Sequence, residues 1–122
     1  MTRKQTTLCL GSYDELYLID LNKVVYMEAD DHYSNIYYTG ESSFMVPYGL
    51  GEIEQRLLNM PWARQRLIRL GRKYIVNLQS VFRINTVKET IFLVNPAGGT
   101  LNLHISKPVL RGLIEQLRAH EQ

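Results

Sequence analysis

Five cations, Arg64, Arg66, Arg69, Arg72 and Lys73, fall within ten residues, and no acidic residue lies among them. Guanidinium and ammonium groups at this density suit a polyanion, above all a phosphate backbone. The arginine fork also matches the two major-groove acceptors of guanine. Leu67, Ile68 and Leu70 interleave with the cations, and Tyr74-Ile75-Val76 follows at once. Gly71 can adopt a positive φ, break the strand and project Arg72 and Lys73 from a turn anchored by Tyr74 and Val76. A solvated basic loop without a partner would have the same composition. The wider charge distribution bears on the choice. Residues 1–60 hold four basic and nine acidic side chains, residues 61–122 ten basic and three acidic, within a net charge of +2. Such asymmetry points to an anionic partner for the second half, or else to a basic face that meets only solvent.

Catalysis finds no such constellation. His32, His104 and His120 have no metal-ligand spacing, and the single Cys9 is far from them in sequence. Gly49 and Gly51 do not form a phosphate-cradling loop between strand and helix, and no Gly-x-Ser-x-Gly elbow occurs. Asp30 and Asp31 are adjacent, and neighbours on a strand point to opposite faces, so a turn suits them better than paired carboxylates. The expectation is a protein that is not an enzyme and uses no cofactor or metal.

The elements that must position the basic segment read as mostly β. At 122 residues, 45% hydrophobic and 21% charged, the chain has the size and balance of one soluble globular domain. Its longest apolar runs, such as Leu16 to Ile19, fall far short of the roughly 20 residues that cross a bilayer. The start lacks the apolar stretch of a signal peptide, and Cys9 in an alternating apolar run reads as a buried thiol. The cytosol is the expected compartment. Residues 7–10 and 15–19 flank the turn formers Gly11-Ser12-Tyr13-Asp14 and predict a hairpin. Val24 to Ala29, His32 to Tyr38 and Ser43 to Val46 predict an antiparallel meander. Leu50, Ile53, Leu57 and Leu58 share one face of a helix that Asn59-Met60-Pro61 ends. Strands are then expected over 78–84, 90–94 and 100–105. A final helix follows, with Ser106 as cap and Val109, Leu110, Leu113 and Leu117 as its apolar stripe.

The order of these pieces is more specific than any one of them. The strand Val24-Val25-Tyr26-Met27-Glu28-Ala29 is followed by Asp30-Asp31-His32-Tyr33, then the helix ending at Leu57-Leu58. Next comes Leu67-Ile68-Arg69-Leu70-Gly71-Arg72-Lys73-Tyr74-Ile75-Val76-Asn77. This sequence resembles the LytTR family of bacterial DNA-binding domains. In that family a Glu-Ala strand precedes a turn and a tyrosine, and a segment close to Phe-x-Arg-x-His-Arg-Ser-Tyr-(Ile/Val)-Val-Asn follows a helix. The resemblance runs from about Thr7 to Arg118, with residues 1–6 and 119–122 as tails. Three departures stand out: Gly71 replaces the usual His, Lys73 the usual Ser, and Lys107 the usual Arg before the last helix.

The resemblance implies about ten short strands in small antiparallel sheets, with one mid-chain helix and one C-terminal helix. It implies loops, rather than a recognition helix, entering successive major grooves of double-stranded DNA. Three regions would face the duplex: Tyr33, Ser34 and Asn35; the turn of Gly71, Arg72 and Lys73, with Arg69 beside it; and Ser106 with Lys107. Arg69 could instead be held by a carboxylate within the domain, such as Glu28, while Asn77 reads as a turn former and Tyr74 as core. Binding to repeated sites as a dimer or a pair of monomers is part of the same implication. So is two-component signalling, in which such a domain is the output of a response regulator. Here either the regulator works alone, or it meets a separate sensor or receiver protein, or the chain is the output part of a longer one. The other functional class left open is a protein-interaction module that keeps the fold and has lost DNA affinity.

Overall fold

A computed structural model describes residues 6–119, and its ten strands form three sheets. Alternation within the strands decides how those sheets stack. The central sheet has the order β5-β4-β3-β7-β6 (β5 Ser43–Val46, β4 Tyr33–Tyr38, β3 Val24–Asp30, β7 Tyr74–Asn77, β6 Leu67–Leu70), and each of its neighbouring pairs is antiparallel. Across it Ile36, Met27 and Ile75 stand in one register row, all fully buried. Burying each such side chain is worth roughly 1.5–3 kcal/mol. The hairpin of β1 (Thr7–Gly11) and β2 (Leu16–Asp20) packs on this face, as does helix α1 (Leu50–Leu58). The other face carries Tyr26, Tyr74, Val76 and Ile68. It is covered by a three-stranded sheet of β8 (Val81–Asn85), β9 (Thr90–Val94) and β10 (Thr100–His104), and by helix α3 (Lys107–Ala119). The result is three layers with two cores, one on each side of the central sheet.

The mostly-β architecture, the opening hairpin and the meander all match the sequence-based expectation. Several details differ. Cys9 is exposed, not buried. Leu8 and Leu10 face the core, so alternation turns Cys9 outward. Leu58 is also exposed, because α1 ends at it and Leu50, Ile53 and Leu57 already fill the buried stripe. Pro61 lies beyond the end of α1, as expected, but it also opens a further short helix, α2 (Pro61–Arg64), at a first-turn position where its missing N–H costs nothing. The cap of α3 comes from a distance. Glu89 Oε2 accepts from the Lys107 amide at 2.8 Å, while Ser106 contributes its carbonyl to the Leu110 amide. The expected tails, residues 1–6 and 119–122, fall almost wholly outside the described residues.

Asn77 shows why one residue can fix two elements. Its Nδ2 donates to the Val24 carbonyl at 2.9 Å, and its Oδ1 accepts from the Gln79 amide at 2.9 Å. It therefore caps the 3-10 turn Leu78–Ser80 and ties it to the start of β3. Replacement by alanine leaves a buried carbonyl without a partner. Asn77→Ala is expected to lower unfolding stability by about 1–3 kcal/mol in urea titrations, and a loss below about 0.5 kcal/mol would show that the pair of bonds is dispensable.

Candidate nucleic-acid interface

The register of the central sheet places two turns side by side. β3 ends at Asp30 and β4 begins at Tyr33, with Asp31 at φ 57° in the two-residue turn between them. Aspartate tolerates this left-handed conformation better than most residues. β6 ends at Leu70 and β7 begins at Tyr74, so Gly71, Arg72 and Lys73 form the neighbouring turn. A hydrogen bond from the Ala29 amide to the Lys73 carbonyl, 2.8 Å, joins the two. Gly71 sits at φ 73°, as its place at the strand break anticipates, and a Cβ there would meet no atom within 4 Å. Backbone strain is thus the cost of a larger residue at this position.

Arg69 holds the second turn in place. It points to the face that carries α1, where its Nη1 meets Glu54 Oε1 at 3.1 Å. Its Nε donates to the Gly71 carbonyl at 2.9 Å and its Nη2 to the Arg72 carbonyl at 3.0 Å. One expectation is corrected here. The holding carboxylate is Glu54, not Glu28, because Glu28 lies on the opposite face of the sheet. A guanidinium used in this way also positions the loop, with three of its five donors committed within the domain. Glu28 instead accepts from the Tyr37 hydroxyl at 3.3 Å and pairs with Lys73 Nζ at 3.5 Å.

Arg72 is exposed and enters no ion pair among the described residues. Lys73 is exposed beside the Tyr74 ring, 5.5 Å from its centroid. The Tyr74 phenol first, and the Glu28 carboxylate after it, hold the lysine above its ordinary pKa, so it stays cationic. Ser106 and Lys107 are also exposed, at the start of α3. A groove of about 450 Å³ connects the two segments. Its lining includes Gly71, Arg72, Lys73, His104 and Ser106, with Glu28 paired to Lys73 and Glu89 Oε1 4.0 Å from His104 Nε2 beside it.

The first predicted region fares differently. Tyr33 is half exposed and Asn35 partly so. Ser34 is fully buried and donates to the Tyr48 carbonyl at 2.7 Å, because it shares the core face with Ile36. It is not available to a partner, which corrects its place among the predicted contacts. His104 was missed, since a histidine at a strand end gives no sign of what lies beside it. Arg111, four residues on from Lys107, lines a separate groove with Thr86, Ile114 and Glu115 and is not part of this one. Arg66 stacks on Trp62 at 4.6 Å and donates to its carbonyl, so it is engaged within the domain.

The fold and these turns define a class, a layered β-domain that presents charged loops from the edge of its sheets. A LytTr DNA-binding domain model matches residues 14–118, and the chain belongs to the LytTR family. Among solved structures, it is similar to the LytTr DNA-binding domain of a putative methyl-accepting/DNA response regulator from Bacillus cereus. The identity is 21%, the TM-score 0.62, and the match covers 92% of this chain and 96% of the other. No curated protein matches significantly. No helix among the described residues is long and apolar enough to cross a membrane.

Behind the turns, Tyr26 and Tyr37 stack at 4.3 Å and Tyr74 meets Tyr26 edge-on at 6.0 Å. Burial, then the neighbouring Tyr37 and Glu28, push the Tyr26 phenol well above its ordinary value near 10. The unfolded chain therefore loses this proton first as pH rises. The stability that the neutral phenol contributes is full below about pH 10 and is lost above it. Denaturant midpoints are expected to fall steeply between about pH 10 and 11.5, and less steeply in Tyr26→Phe. Identical slopes in the two proteins would count against a partly buried phenol at this place.

Proposed function

We propose that this domain is a sequence-specific transcriptional regulator that binds double-stranded DNA through its loops. In this reading Arg72, Lys73, Ser106 and Lys107 meet the duplex from the two sides of the shared groove, with Tyr33 and Asn35 extending the surface along the neighbouring turn. The observation that carries it is the groove that brings the exposed cations of the turn at residues 71–73 against the start of α3, in a chain of a DNA-binding family. Arg72 is the candidate for reading a base edge, since its guanidinium has no ion-pair partner among the described residues and stands at the tip of a turn whose backbone is fixed. Lys73 and Lys107 suit phosphate contacts, for which a point charge on a flexible stem suffices. The regulator acts in the cytoplasm, as the output end of a signalling system whose input comes from another domain or a separate sensor or receiver protein.

The reading is tested by selecting bound sequences from random duplexes and then measuring affinity against salt. Arg72→Ala is expected to weaken the selected site by about 1–3 kcal/mol and to relax the preference at one position. Lys73→Ala should weaken all duplexes alike and reduce the salt slope by about one. Unchanged binding in both Arg72→Ala and Lys107→Ala would place the DNA surface elsewhere.

A further inference from the structure

Among the described residues, two sheet faces have no covering layer, and they look away from each other. The β1–β2 hairpin packs inward on the core that contains Met27, and β8–β10 pack inward on the core that contains Val76. These cores lie on opposite sides of the central sheet, so the outward faces form the two ends of the stack. On the hairpin, Leu16 and Leu18 point outward at 61% and 41% exposure, and Tyr13 at the hairpin turn is fully exposed. On the other end Phe82 and Val94 are exposed at 54% and 40%, and Arg83 lies over the Phe92 ring at 4.6 Å. Arginine and aromatic side chains together are the composition of interface centres.

The charges around these patches differ in sign. Residues 6–22 carry Asp14, Glu15 and Asp20 and no cation, whereas residues 81–104 carry Arg83 and Lys88. The one acid in the latter stretch, Glu89, turns its carboxylate to the start of α3. Either patch meeting its own copy would set like charges together, while each meeting the other sets Asp14 and Glu15 toward Arg83. We propose that a second copy of this chain docks here head to tail, its acidic hairpin on the Phe82–Arg83 face of the first. The inference does not depend on DNA binding.

The contact is small. Two five-residue strands offer an area of about 17 by 10 Å, far below the roughly 800 Å² per partner of a stable dimer. Association is therefore weak in free solution, and an open-ended interface has to be weak to avoid fibres. On a shared polymer the effective concentration of a neighbouring copy reaches the millimolar range, enough to populate such a contact. Copies joined this way point in one direction.

Sedimentation equilibrium of the full chain, without DNA, tests the proposal. The wild-type mass is expected to climb from about 10 μM to 1 mM without a plateau at the dimer. Leu16→Ser/Leu18→Ser and Phe82→Ser/Arg83→Glu should each stay monomeric. Their equimolar mixture retains one intact hairpin and one intact sheet face, so it should form dimers and nothing larger. If the hairpin variant loses its strand signal in circular dichroism, Asp14→Lys/Glu15→Lys replaces it, with the same outcome expected. A wild-type monomer throughout, association of either variant alone, or a mixture that stays monomeric would each overturn the proposal.

Discussion

The guanidinium of Arg69 meets three acceptors at once: the Glu54 carboxylate and the carbonyls of Gly71 and Arg72. The first belongs to α1, and the other two belong to the turn between β6 and β7. One side chain thus connects the helix that covers the central sheet to the loop that leaves its edge. The loop has only three residues, and Gly71 releases it from strand geometry, so without this clamp the Gly71 and Arg72 carbonyls would face solvent and only the Lys73 carbonyl, bonded to the Ala29 amide, would hold the turn. With the clamp in place, Arg72 and Lys73 project from a backbone that is fixed before any partner arrives. A backbone already held in place loses less freedom on binding.

Alternation then separates structure from presentation. On the central sheet, residues facing α1 are apolar or, like Ser34 and Arg69, turned inward to bond within the fold. Residues facing the other core include the tyrosine stack and Glu28, which reaches Lys73. Glu89 plays the corresponding part in the small sheet, since it accepts from the Lys107 amide and so fixes the start of α3 beside the groove. A charge on each side therefore orients one of the two segments that meet there. The acidic first half of the chain supplies much of this scaffolding, and the basic second half supplies the exposed cations.

Much of this was legible from residue types and spacing. Period-two alternation located the hairpin and the meander, the spacing of Leu50, Ile53 and Leu57 located α1, and Gly71 located the turn. What could not be read was the partner of each polar group. Arg69 and Glu54 are fifteen residues apart, and only the fold decides that Glu54 rather than Glu28 lies on the arginine's side of the sheet. Ser34 failed for a similar reason: its strand alternates correctly, but which face is buried depends on where Ile36 points. Cys9 was misread by hydrophobicity although its neighbours Leu8 and Leu10 already fixed its direction. The groove itself joins segments some thirty residues apart, and no local pattern encodes such a meeting.

The central claim is that the turn at 71–73, the start of α3 and the β3–β4 turn form one continuous surface for a duplex. Amide chemical shifts followed during titration with a selected duplex test it most directly. The account predicts that residues 71–73, 104–107, Tyr33 and Asn35 move together, with the same dependence on added DNA. Shifts confined to the β1–β2 hairpin or to the outward face of β8–β10, with the 71–73 turn unmoved, would contradict it.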